Sequence, residues 1–125
     1  DRNARYDARR PGGVQTMGVF EIAGLHAPQF RGMELADEGR AAFEGAVTLL
    51  GPHDLALRDV SRIVCHIADA DEFPASFPVF RQFFPSTSPG MTMMWLKDAP
   101  PSVPKLVIAL IISLPAEEGV AGTGF

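Results

Sequence analysis

The stretch ADADEFPASFPVFRQFFPSTSPGMTMM, from Ala68 to Met94, decides the fold. An apolar, strand-length run enters it from upstream (IVCHIADA from Ile63), so Val60 to Ala68 reads as a strand. Asp69 or Asp71 can then cap a helix, because a short carboxylate accepts the first free backbone N–H groups. Phe73, Phe77, Phe80 and Phe84 recur three and four residues apart, which predicts a helix from Asp71 to Phe84 with an aromatic stripe. Pro89-Gly90 breaks the chain, and Met91 to Leu96 supplies a further strand. Two prolines fall inside the helical stretch. Pro74 lies in the first turn, where a missing N–H is harmless. Pro78 removes an interior hydrogen bond at a cost of about 3 kcal/mol, which predicts a kink beside Phe77.

Upstream, Val14 to Met17 and Val19 to His26 read as a hairpin turning near Gly18, and residues 29–33 as a loop. A first helix over Glu34 to Leu50 carries Leu35, Ala42, Phe43, Ala46, Val47 and Leu50 on one stripe, with Gly51-Pro52 as its stop. Downstream, Lys105 to Leu114 is the last strand. Residues 1–13 read as a flexible, Arg-rich arm, 14–115 as a single domain and 116–125 as a disordered tail; a chain of 125 residues supports one core. In this order the elements make a two-layer α+β domain, a mixed sheet with two helices packed on one face. In the last strand Val107, Ala109 and Ile111 alternate with Leu106, Ile108, Leu110 and Ile112, so both faces are apolar. One face takes the helices. The other needs a cover, since an exposed patch of that size is a liability on a monomer, and a dimer or a trimer would supply one.

A net charge of −4 argues against a nucleic-acid partner, because phosphate binding needs a basic face. Arg2, Arg5, Arg9 and Arg10 read as a solvated arm. The longest apolar run, Leu106 to Leu114, is far shorter than the roughly 20 residues of a membrane helix, so no membrane partner is expected. Cys65 is the sole cysteine, which rules out an internal disulfide, and without a secretory signal the expected location is the cytoplasm. His26, His53 and His66 lack metal-ligand spacing and no phosphate-cradling glycine motif is present, so no cofactor is expected. Cys65 and His66 are neighbours on a strand and point to opposite faces, which excludes a nucleophile and base pair.

Segment by segment, the chain resembles the Rid (YjgF, reactive intermediate deaminase) superfamily from about Val14 to Leu114. LRDVSRIVCHIADADEF, Leu57 to Phe73, looks like that family's LDDVVKTTVFLADMDDF. FEIAGLHA, Phe20 to Ala27, falls on its second strand with Gly24 keeping a glycine, and KLVIALII, Lys105 to Ile112, resembles KIEIEAIA. The resemblance implies a homotrimer with a central barrel-like core and pockets between subunits. It also implies hydrolysis of an α-imino acid to an α-keto acid and ammonia. Against that pattern Ala23 stands at a serine, Phe77 at an asparagine and Phe80 at a tyrosine. Met91 stands at the arginine that holds the substrate carboxylate, and Ala109 at the glutamate associated with the attacking water.

Arginine clamps a buried carboxylate through paired, charge-assisted hydrogen bonds. A carboxylate left alone in an apolar pocket loses several kcal/mol, and Met91 offers it only a thioether. Positioning water or moving its proton is typically worth about 10²- to 10⁴-fold, and Ala109 does neither. The scaffold is therefore expected without the deaminase chemistry. By the same resemblance the pocket lining is Ala23, Phe77, Met91, Met93, Trp95, Ala109 and Ile111, an oily cleft suited to a hydrophobic small molecule. The same side chains can instead fill the cleft as core. Candidate proton-handling groups are Glu21 on the strand face of Ala23, where burial would suit it to acid/base work. Arg10, near a pocket-flanking position of the family, and His26, at the end of the second strand, join it, with His66 mid-strand. Each also admits a purely structural role. Three functions stay open. One is a biosynthetic enzyme acting on an apolar carbonyl, enamine or polyene intermediate by shape and water exclusion. The others are a non-catalytic small-molecule-binding or stabilising partner, and an imine or enamine deaminase using a relocated cation.

Overall fold

The structure is a computed structural model and describes residues 18–114. The arm over residues 1–13 with Arg10, the strand over 14–17 and the tail over 116–125 lie outside the described residues. Strand β1 (Gly18–Leu25) is followed by helix α1 (Leu35–Leu50), strand β2 (Arg62–Ile67), helix α2 (Phe77–Phe83), strand β3 (Gly90–Trp95) and strand β4 (Leu106–Leu114). The sheet order is β1-β4-β2-β3. β4 runs antiparallel to both β1 and β2, and β2 runs parallel to β3 across the α2 crossover, so the sheet is mixed. Among the described residues no helix is long and apolar enough to cross a membrane.

Register sorts the side chains into two faces. Leu106, Ile108, Leu110 and Ile112 of β4, Ile63, Cys65 and Ile67 of β2, and Leu25 of β1 are buried against the helices. Val107 and Ile111, with Val64 and His66 of β2, lie half-exposed on the open face. The two-layer architecture is the expected one. Its aromatic centre is Phe43 of α1, fully buried, with the rings of Phe80, Phe83 and Phe84 at centroid distances of 5.3, 5.4 and 5.3 Å. Gly39 lets α1 approach β4, since a Cβ there would sit 3.3 Å from Leu106 Cδ2.

Several local expectations change. The helix predicted over 71–84 is a 3₁₀ turn, Phe73–Ser76, followed by α2, and each segment carries its proline in its first two positions. A ring with no N–H fits a first turn, so Pro78 opens a helix instead of kinking one. Neither Asp69 nor Asp71 is the N-cap: that position is Glu72 for the 3₁₀ turn and Ser76 for α2, neither with a side-chain cap. Asp69 Oδ1 instead accepts the Glu72 N–H at 3.1 Å in the turn before them. Gly18 pairs with Leu114 as a strand residue, and the rest of the expected hairpin lies outside the described residues. At the end of α1, Gly51 stays right-handed and the chain continues through a 3₁₀ turn; the left-handed residue is Asp54, at φ 59°. In β1 the register slips between Ile22 and Leu25, a β-bulge that Gly24 accommodates at φ 71°.

Candidate apolar binding site

Met91, Met93 and Trp95 alternate on β3 and are in register with Ile63, Cys65 and Ile67, so they face the helix side of the sheet. β3 lies at the sheet's edge, which leaves Met93 45% and Trp95 52% exposed. The residues before α2 bring Phe73 edge-on to both Phe77 and Trp95, with centroids 5.6 and 5.8 Å apart. Phe77 remains 46% exposed beside them. Phe77, Met91, Met93 and Trp95 thus form one oily ridge. Where β3 begins, the ridge borders a cavity of about 230 Å³ lined by Ile63, Phe80, Arg81, Phe84, Thr87 and Met91, among others. Phe80 and Phe84 reach it from α2 and its C-terminal end because the other side of each ring packs on Phe43.

Three polar side chains border this cavity, Arg81, Thr87 and the exposed Ser88. Arg81 is exposed and forms no ion pair among the described residues, while the Thr87 hydroxyl is buried without a hydrogen-bond partner. Neither follows from composition, although Arg81 stands one helical turn beyond Phe77.

The rest of the expected lining lies elsewhere. Glu21 is in register with Ile111, and Ala23 follows two residues on in the bulged end of β1, so both belong to the open face with Ala109. Arg62 lies there too, its Nη1 donating to Thr92 Oγ1 at 3.1 Å. A single copy therefore splits the candidate set. Ala23, Ala109 and Ile111 are on one face of the sheet, and Phe77, Met91, Met93 and Trp95 are on the other.

Glu21 is exposed. His26, also exposed, has Nδ1 2.8 Å from Ala27 O and its ring edge-on to Phe30. No hydrogen bond joins the two, and Arg10 is outside the described residues. Cys65 faces the helices, and burial pushes its thiol pKa up to about 12, which keeps it protonated and unreactive. Among the described residues no cluster of His, Cys, Asp and Glu is placed to hold a metal ion.

A second concavity, about 460 Å³, lies by the loops at the start of β4 and is bordered by Arg31, Glu38, Asp69 and Lys105. Its floor is a charged network. Glu38 Oε1 accepts the backbone N–H groups of Lys105 and Leu106 at 2.8 and 3.3 Å. Glu72 accepts the Leu35 N–H at 2.8 Å and the Lys105 ammonium at 2.9 Å, and Lys105 also donates to Met33 O. Burial holds the Glu38 carboxyl above its ordinary pKa; hydrogen bonds from Leu35 and Lys105 hold Glu72 below its own. The network fastens α1, the residues before α2 and β4 together. Its sequence signal was an acid three residues after Leu35 on the apolar stripe of α1.

No protein-family model matches this sequence, and no curated protein matches it. Solved structures do. Yeast Mmf1 superposes with a TM-score of 0.67 at 14% identity, over 78% of this chain and 80% of that one. Rv2704 of Mycobacterium tuberculosis, a member of the YjgF/YER057c/UK114 family, gives 0.63 at 21% identity over 81% of each chain. A Klebsiella pneumoniae structure gives 0.58 at 18% identity over 65% of this chain and 61% of that one. With this α+β topology and these superpositions, the chain has the YjgF, or Rid-superfamily, fold.

Proposed function

We propose that the chain is one subunit of a cytoplasmic homotrimer whose inter-subunit cleft takes a hydrophobic small molecule. The ligand class is an apolar carbonyl, enamine or polyene, handled in a biosynthetic step, and small α-imino acids are not substrates. The observation that carries the reading is Met91, which faces an apolar cavity where the resemblance calls for a carboxylate-binding arginine. Burying each ligand CH₂ there gains about 0.8 kcal/mol, whereas an unpaired carboxylate loses several kcal/mol.

The division of the lining favours a ring. Face-to-face pairing about a two-fold axis sets the open face against itself. A head-to-tail contact sets the Met91, Met93, Trp95 and Phe77 ridge of one copy over Ala23, Ala109 and Ile111 of the next, and such contacts close into rings. Light scattering is expected to give three times the chain mass; a monomer at micromolar concentration would remove both the ring and the shared cleft. In a coupled assay, α-imino acid hydrolysis is expected at background, and turnover above that level refutes the loss of deaminase chemistry.

Specificity is tested with matched acids and their amides or ketones by ligand-induced thermal shift. Wild type should favour the uncharged member of each pair. Met91→Arg should reverse the order and still not hydrolyse imino acids while Ala109 remains. Acids preferred by wild type would contradict the reading. The separation of Glu21 from His26 favours a second reading, a non-catalytic binder: the same ligands then bind and emerge unchanged.

A further inference from the structure

The cavity beside Met91 has an apolar floor and, besides the exposed Ser88, two hydrogen-bond donors without a partner among the described residues, Arg81 and Thr87, neither of them in the lining expected from the sequence. A buried hydroxyl without a partner forgoes its hydrogen bond and costs about 1–3 kcal/mol. Such a group calls for an explanation. The Thr87 hydroxyl is in that condition, and Arg81 borders the same small volume. Ile63, Phe80, Phe84 and Met91 supply the apolar wall, with the Met91 thioether their only and weak acceptor, and the exposed Ser88 with Pro89 completes the lining.

We propose that Arg81 and Thr87 hold the carbonyl oxygen of a ligand whose apolar body lies over Ile63, Phe80, Phe84 and Met91; this rests on the apolar-ligand reading above. Two donors against one oxygen suit a ketone, an aldehyde or an enol. A carboxylate fits less well. The apolar wall penalises the second, unpaired carboxylate oxygen. The arrangement makes Arg81 and Thr87 specificity-determining residues, selecting a carbonyl-bearing chain over the bare hydrocarbon.

The test uses methyl pentyl ketone, heptane and heptanoate as probes, with dissociation constants from chemical-shift titration of the full chain. Wild type is expected to bind the ketone most tightly. Arg81→Gln and Thr87→Val should each weaken ketone binding about fivefold to tenfold, the loss of one hydrogen bond, and leave heptane unchanged. Thr87→Val keeps the side chain's shape, so without ligand its melting temperature should equal or exceed that of wild type. A structural role for the hydroxyl predicts a lower one. Ketone affinity unmoved by both substitutions, with heptane still bound, overturns the donor assignment and leaves the apolar site standing. Heptanoate as the tightest ligand of wild type overturns the carbonyl preference, and no binding by any probe overturns the apolar site and the donors together.

Discussion

Phe43→Ala is expected to lower the unfolding free energy by about 3–5 kcal/mol, the range for removing a fully buried phenylalanine. Phe43 has no exposed surface, and three phenylalanine rings pack on it at tilted or edge-to-face angles. Edge-to-face pairs add to simple burial. Small domains are stable by about 5–15 kcal/mol in total, so the variant should approach the edge of folding at room temperature. Phe43→Leu, which refills most of the space, should cost far less. Urea denaturation followed by circular dichroism measures both. A loss under about 1 kcal/mol for the alanine variant would show that the α1 to α2 contact is not formed as described. The substitution also reaches the site. Phe80 and Phe84 line the apolar cavity with one side and lean on Phe43 with the other, so ligand affinity should fall in a variant that touches no ligand.

The fold was legible because its periodicities are strong. The Phe73-to-Phe84 spacing, the alternation in Leu106 to Leu114 and the apolar stripe of α1 each admit one placement in a two-layer domain. Where the reading missed, a local backbone event decided the outcome. The periodicity of the phenylalanines is the same for one kinked helix as for a 3₁₀ turn followed by α2. The choice fell to which carbonyls the two prolines leave without a donor.

The candidate site was legible only in part. Single replacements such as Met91 could be located by resemblance. Strand parity alone does not say which face of β3 meets which face of β4; that follows from register, which put Met91 opposite Ile63 and Ala109 opposite Val64. Arg81 and Thr87 were missed for a different reason. An exposed arginine on a helix and a threonine in a Pro-rich loop look like surface until the cavity between them is seen.

Glu38→Ala should be nearly as damaging as the core substitution, while Glu38→Gln should fold well. The carboxylate is 1% exposed and its Oε1 takes two backbone N–H groups at the start of β4. Removing it strands both donors at about 1–3 kcal/mol each, so the alanine variant should lose about 3 kcal/mol or more. Glutamine keeps an acceptor oxygen in place and removes a buried charge. pH separates these effects. Because burial raises the Glu38 pKa above its unfolded value of 4.5, the native state holds the proton more tightly than the unfolded chain. Its contribution is therefore most favourable below that unfolded value and is lost as pH rises through the raised one. Glu72, held low by its hydrogen bonds, acts in the opposite sense: its contribution is present above 4.5 and lost as pH falls through its lowered value. In wild type the two slopes lie on opposite sides of 4.5, that of Glu72 below it and that of Glu38 above it. Glu38→Gln removes the one above 4.5, so its stability relative to wild type should improve as pH rises from 4.5 through the raised Glu38 value, read as a growing gap between urea midpoints. Parallel curves over that interval would mean that Glu38 does not titrate with folding, and that its buried carboxyl has a partner for Oε2 after all.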